Sequence, residues 1–201
     1  LMLGCYDRHL YSRGRILYKA LQQNNINIDL CLFRDKYKYF KLLGRLFQKD
    51  YSVIIASGKP VLVLAWLTKW YHRRKILFDV FISDFDTLVF DRKLVKPNTW
   101  KAKFLWWMDR FACRKSDFNI LDTRDHLEYF VDEFNLPVHT FGVVPVGADE
   151  EVFHPQKRTQ HDVLHGSKEF VVHFHGTYIP LQGIEHIIRA AKILENQQIK
   201  F

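Results

Sequence analysis

The sequence first shows chemical promise after residue 78, where Asp79, Ser83, Asp84, Asp86, Thr87 and Asp91 follow one another closely. Hard oxygens at this density suit a divalent cation, and Asp84-Phe85-Asp86 spells a D-x-D pattern able to hold one. The same residues also suit a helix start, with Ser83 or Asp84 as N-cap and acidic side chains in the first turn. Capping is the favoured reading here. Asp79 closes an apolar run and is the candidate for substrate contact and catalysis, with Ser83, Asp84 and Thr123 on the same side.

Two further stretches have the composition of phosphate cradles. Gly4 to Arg13 follows an apolar run and leads into a helical pattern containing Gly14. A helix N-terminus there presents free N–H groups and a positive dipole end, and Arg13 and Arg15 add forked donors. A solvated basic turn has the same composition. Gly176, Thr177 and Gly183 lie between a strand pattern and a helix pattern, where glycine allows close backbone approach to an anion. An ordinary strand-to-helix turn is the alternative. His173 and His175, two apart on an expected strand, share a face but lack a third ligand for a metal. Asp122-Thr123 reads as a strand end followed by a cap.

Strand-like and helix-like segments alternate along the chain. Tyr51 to Ala56, Lys75 to Val80, Asp117 to Leu121 and Thr140 to Val144 read as strands. So do Leu1 to Cys5 and Ile26 to Phe33. Helical spacing marks a segment that Ser12 could cap, then Tyr37 to Phe47, a helix opened by Pro60, Thr99 to Lys115 and Asp125 to Phe134. In Thr99 to Lys115, residues Phe104, Trp107, Met108 and Phe111 form one stripe. This alternation predicts an α/β fold with a parallel sheet, Rossmann-like, whose ligands bind at the carboxyl ends of the strands. Residues 1–146 are expected to form that domain and the polar stretch 147–168 an interdomain linker. Phe170 to Phe174, Ile184 to Leu194 and Ile199 onward make 169–201 the truncated start of a second Rossmann-like domain.

Hydrophobic residues make up 48% of the 201 and charged residues 26%, which supports a packed core and excludes disorder by composition. The formal charge of +8 favours anionic partners. Three cysteines, far apart and without a C-x-x-C pair, argue against a disulfide framework or a zinc site and fit a reducing cytosol. No apolar run reaches a membrane span. Lys and Arg interleave with Tyr, Phe and Trp in Arg34 to Lys49, Lys69 to Lys75 and Arg92 to Trp107. Such stretches suit an anionic membrane surface, or a solvated face over an aromatic core. Nucleic acid is not expected, because no recognised nucleic-acid signature accompanies the charge.

Some stretches resemble family 4 glycosyltransferases of the GT-B fold. Tyr11 to Leu21 (YSRGRILYKAL) is similar to the family's first loop and helix, and Phe78 to Lys93 to a strand ending at an interdomain loop. Val143 to Pro155 (VVPVGADEEVFHP) resembles the crossing between domains, and Phe174 to Leu194 the G-x-x-x-P-x-x-G loop and its helix. The resemblance implies an enzyme that transfers a sugar from a nucleotide-sugar donor to a glycan or lipid-linked acceptor, with retention, without a metal and with no further cofactor. It implies donor contacts at Gly4, Arg13, Gly14, Gly176, Thr177 and Gly183, and acceptor-side contacts at Ser83, Asp84 and Thr123. The family's glutamate-rich motif falls beyond residue 201, Gln182 stands where the family has lysine, and the loop after Asp79 lacks the family's histidine. The expectation is therefore a piece inactive alone, cytoplasmic or peripheral at the inner membrane face, that packs back on itself or exchanges between chains. The alternative is a non-catalytic basic α/β module for membrane surface or nucleic acid.

Overall fold

The structure is a computed structural model that describes residues 2–4, 12–31, 36–151, 153–154, 170–176, 178, 182–197 and 199–200. It divides into two compact units, Leu1–Phe153 and His154–Phe201.

The first unit is built on a six-stranded sheet in the order β2-β1-β3-β4-β5-β6. The strands are β1 (Met2–Gly4), β2 (Leu30–Cys31), β3 (Val53–Ser57), β4 (Lys75–Asp79), β5 (Phe118–Leu121) and β6 (Phe141–Val143), and every pair is parallel. The β-branched run Val53-Ile54-Ile55 favours the extended chain at the centre. Ile54, Ala56, Ile76 and Phe78 alternate onto one face and are buried. Register brings Gly4, Ser57, Asp79 and Ile120 side by side, so the carboxyl ends of the inner strands finish at one level.

The helices are α1 (Ser12–Gln23), α2 (Lys38–Gln48), α3 (Lys59–Leu67), α4 (Lys69–His72), α5 (Asp84–Asp86), α6 (Trp100–Lys115) and α7 (Arg124–Phe134). A one-turn π-helix, Thr87–Asp91, continues α5. Helix α2 packs on α3, α3 on α6 and α6 on α7. These helices all belong to connections that step the same way across the sheet. Right-handed crossovers therefore place them in one layer and the β1-to-β2 connection on the other face. Helix α3 is apolar all round, with Val61, Leu62 and Ala65 fully buried. It starts at Gly58, whose φ of +99° is in the region glycine favours, followed by Pro60 in the first turn. Thr99 caps α6 by accepting the Ala102 N–H at 3.3 Å.

The second unit contains β7 (Phe170–Val171), α8 (Ile184–Ile193) and β8 (Ile199–Lys200), with β7 and β8 parallel. The fold class is thus α/β, with a Rossmann-like parallel sheet in the first unit and a parallel strand pair in the second.

Some local expectations need correction. Ser12 is the first residue of α1 rather than a cap before it. Strand β7 spans Phe170–Val171, so His173 and His175 lie beyond it and do not share a strand face. The aromatic stripe of α6, to which the sequence assigned no side, does not face the core. Ala102, Asp109, Ala112 and Cys113 do, while Phe104 and Trp107 are half exposed.

Candidate functional site at the carboxyl ends of the strands

Arg13, in the first turn of α1, and Asp79, the last residue of β4, meet in a buried ion pair, with Nε to Oδ1 at 2.8 Å. Arg13 Nη1 donates to the Val144 carbonyl just past β6, also at 2.8 Å. One side chain thereby bridges the ends of two strands. Its Nη2 is buried and has no hydrogen-bond partner among the described residues. The guanidinium also lies over the Phe81 ring, 5.5 Å from the centroid. Burial pushes the Asp79 carboxyl above the ordinary carboxylate range, Arg13 opposes that shift, and the charge of Asp122 adds to it.

The backbone is strained next to this pair. Phe81 has φ +59°, and Ile82 N–H donates to Val80 at 2.7 Å across a three-residue turn. A bulky residue at positive φ inside so tight a turn stores strain, which concentrates at functional sites. The turn presents Phe81 and Ile82, both more than a third exposed, beside Asp79.

Behind the turn lies a second charged cluster. Ser83 caps α5, accepting from Asp86 N–H at 2.9 Å and donating to Asp109 Oδ2 at 3.0 Å. Phe85 N–H donates to the same oxygen at 2.9 Å. Lys59, buried at the start of α3, forms ion pairs with both Asp84 and Asp109. Burial raises the Asp109 carboxyl, with Lys59 opposing. Of the D-x-D pair, the Asp84 carboxylate is taken by Lys59 and the Asp86 backbone N–H by the Ser83 cap. Among the described residues no group of three His, Cys, Asp or Glu is placed to hold a metal ion.

Thr123 caps α7 by accepting from His126 N–H at 3.2 Å, and His126 Nδ1 sits 2.6 Å from Asp122 Oδ1. This His–Asp pair follows the carboxyl end of β5, one strand from Asp79. The sequence reading missed it, although the i,i+4 spacing of Asp122 and His126 across a helix start was available as a signal. The structure therefore brings together Arg13, Asp79 and the Thr123 loop, with Ser83 and Asp84 behind them. Gly4 ends β1 in register with Ser57, and Gly14 lies within the first turn of α1. Gly183, at φ +59°, is the N-cap of α8, and Gly176 precedes it in the second unit. Thr177 lies outside the described residues.

The chain leaving β6 is tied to α1 as well. Asp149, largely buried, pairs with Arg15 at 3.0 Å and Lys19 at 3.3 Å, and Lys19 also reaches Glu151 at 2.7 Å. Helix α1 thus carries the cations that hold both Asp79 and the segment after β6.

A parallel sheet with its charged loops at the strand carboxyl ends defines a Rossmann-like α/β protein. No family model matches the chain, and no curated protein does. Among solved structures, Alr3699/HepE of Anabaena shares the fold. Its complex with UDP and glucose superposes with a TM-score of 0.60 at 13% identity, covering 98% of this chain and 58% of that one. Its complex with UDP gives 0.54 at 13% identity, covering 100% and 67%. The likeness at this identity is one of fold, and this chain spans little more than half the length of the first structure.

Proposed function

We propose that this chain is the acceptor-side domain, with the beginning of the donor-side domain, of a glycosyltransferase that moves a sugar from a nucleotide-sugar donor to a glycan or lipid-linked acceptor. The carrying observation is the shared fold along 98% of the chain with a protein seen in complex with UDP and glucose. The carboxyl-end cluster supports it. Asp79 is partly desolvated and held by Arg13, in position to accept a hydrogen bond from an acceptor hydroxyl. The vacant Arg13 Nη2 offers a donor to an acceptor or phosphate oxygen. In this reading, loops at Gly176 and Gly183 hold donor phosphates, transfer proceeds with retention, and no metal or further cofactor takes part. Positioning and electrostatic stabilisation of the leaving nucleoside diphosphate supply the catalysis.

Saturation-transfer NMR of the chain with a panel of glycans and polyprenyl phosphates tests the acceptor side. The reading expects at least one ligand to bind and Asp79→Asn to weaken it about tenfold, the loss of one charge-assisted hydrogen bond. A panel with no binder, or a binder indifferent to Asp79, overturns it. Transfer assays with nucleotide sugars are expected to show no turnover by the chain alone, and robust turnover would refute the division between the two domains.

A further inference from the structure

Four helices of the outer layer share an unusual charge pattern. Helices α2, α3, α4 and α6 contain a single carboxylate between them, Asp109, and it is 1% exposed. Their visible charge is therefore entirely positive. The neighbouring α7, by contrast, carries Asp125, Glu128, Asp132 and Glu133.

The same helices expose aromatic and aliphatic side chains to a degree that core packing does not explain. Trp70 is 90% exposed and Tyr71 70%, while Leu67, Phe104, Trp107 and Phe47 are each about half exposed. Ring contacts join these residues across elements. Phe47 of α2 meets Tyr71 of α4 edge-on at 5.7 Å. Trp66 of α3 meets Phe111 of α6 at 5.5 Å. Phe111 stacks on Trp107 at 5.0 Å, and Trp107 on Phe104 at 6.3 Å. Along α6, Trp100, Lys103, Phe104, Trp107, Phe111 and Arg114 recur at helical spacing on one face, opposite the buried stripe of Ala102, Asp109 and Ala112. Lys115 Nζ sits over both Trp66 and Phe111, at 5.0 and 5.7 Å.

We propose that this face docks on a bilayer rich in anionic phospholipid. Charge complementarity selects the occupant. A second copy presenting the same face would set cations against cations, which rules out a symmetric pair through it. A bilayer surface offers phosphate to the lysines and arginines and, just below, an apolar layer for Leu67 and the ring bodies, with Trp and Tyr at headgroup depth. Single-stranded nucleic acid offers phosphate but no apolar depth, and Phe104, Trp107 and Phe111 stack on one another instead of standing free as platforms for bases. No helix among the described residues is long and apolar enough to cross a membrane, so the contact is a surface one. Helix α4 runs directly into the amino end of β4, whereas Asp79 closes its carboxyl end. The α4 end of that face therefore lies away from the Asp79 loops. The inference does not depend on sugar transfer.

Co-sedimentation with phosphatidylcholine vesicles, with and without phosphatidylglycerol, tests it. The chain is expected to pellet with the anionic vesicles, to stay in solution with the neutral ones, and to be released by salt. Lys103→Glu with Arg114→Glu should lower partitioning about tenfold or more, from roughly 1 kcal/mol per basic residue at the surface. Both side chains are exposed, so circular dichroism should show an unchanged fold. Brominated lipid should quench the wild-type tryptophan fluorescence, and Trp70→Phe should remove part of that quenching. Absence of binding to anionic vesicles, equal binding to neutral ones, or indifference to the double charge reversal overturns the proposal. So does capture by single-stranded RNA without capture by vesicles.

Discussion

Two populations of cations stand out in this molecule. Around the strand carboxyl ends, Arg13 and Lys59 are buried and each faces a buried carboxylate, Asp79 and Asp109. On the outer helices, Lys101, Lys103, Arg114 and Lys115 have no carboxylate partner among the described residues, and aromatic rings lie under two of them. The difference teaches where charge is structural. A buried cation without a partner costs several kcal/mol, so Arg13 and Lys59 are paired with carboxylates, while Arg74, also buried, is met by the Leu46 carbonyl at 2.8 Å. An exposed cation remains solvated, and its pairing is worth little either way. Unpaired charge on the outside is therefore available to a partner, whereas paired charge inside is committed to holding loops in place.

The largest expected effect comes from breaking the inner population at its most buried point. Asp109→Ala leaves Lys59 facing only the more exposed Asp84 and removes the acceptor shared by Ser83 and the Phe85 amide. A loss of about 3–5 kcal/mol in urea unfolding is expected. Adding Lys59→Met to Asp109→Ala should recover most of it. If the double variant is no more stable than the single one, the cost lies in the lost loop anchors and not in the orphaned cation.

The Arg13–Asp79 pair is the next test, because it is both buried and placed to meet substrate. Asp79→Asn keeps an acceptor for Arg13 Nε but removes a charge that burial disfavours more than Arg13 compensates, so stability at neutral pH should rise, by about 1–3 kcal/mol. The sign with pH follows from the raised Asp79 carboxyl. The folded state holds that proton more tightly than the unfolded chain does, so the contribution of Asp79 is greatest at acid pH and falls as pH rises through its folded value. The Asp79→Asn variant should lack that component of the pH–stability curve. An unaltered curve would mean that Arg13 compensates the burial completely.

Much of this arrangement was legible in the sequence, and the remainder was hidden for identifiable reasons. The β-branched run of β3 and the apolar run of β4 marked the inner strands, and Ser83 and Thr123 announced caps that the structure confirms. Arg13 and Asp79 each stood out by type and position. Their pairing could not be read, because 66 residues separate them and only the β1-β3-β4 strand order brings them together. Lys59, before Pro60, carries no mark in the sequence that sets it apart from a solvated lysine. Its burial depends on Asp109, in the middle of α6, facing inward. The direction of the α6 stripe was equally hidden. A helix with aromatic residues on more than one side does not declare which side meets the sheet, and the small residues Ala102 and Ala112 took the core-facing positions.

A smaller effect, and a bridge between the two populations, is expected at Asp29. Arg45 belongs to the acid-free helix α2, yet it forks onto Asp29 before β2, with Nη2 to Oδ2 at 2.8 Å. Tyr51 donates to the same carboxylate at 2.5 Å and Lys49 reaches it at 3.2 Å. The Tyr51 hydroxyl first, then Arg45 and Lys49, hold the Asp29 carboxyl down to about 2, against some burial. A lowered carboxylate contributes stability that is present above its unfolded value, near 3.8, and lost as pH falls towards 2. Partial exposure limits that contribution to about 1–2 kcal/mol. Asp29→Asn should therefore destabilise the chain by that amount at neutral pH and by almost nothing at pH near 2, as followed by circular dichroism during urea unfolding. A loss as large as that of Asp109→Ala would place Arg45 with the inner cations and dissolve the distinction. A loss within experimental error would place it with the outer ones, and the acid-free character of α2 would then extend to its only strongly paired arginine.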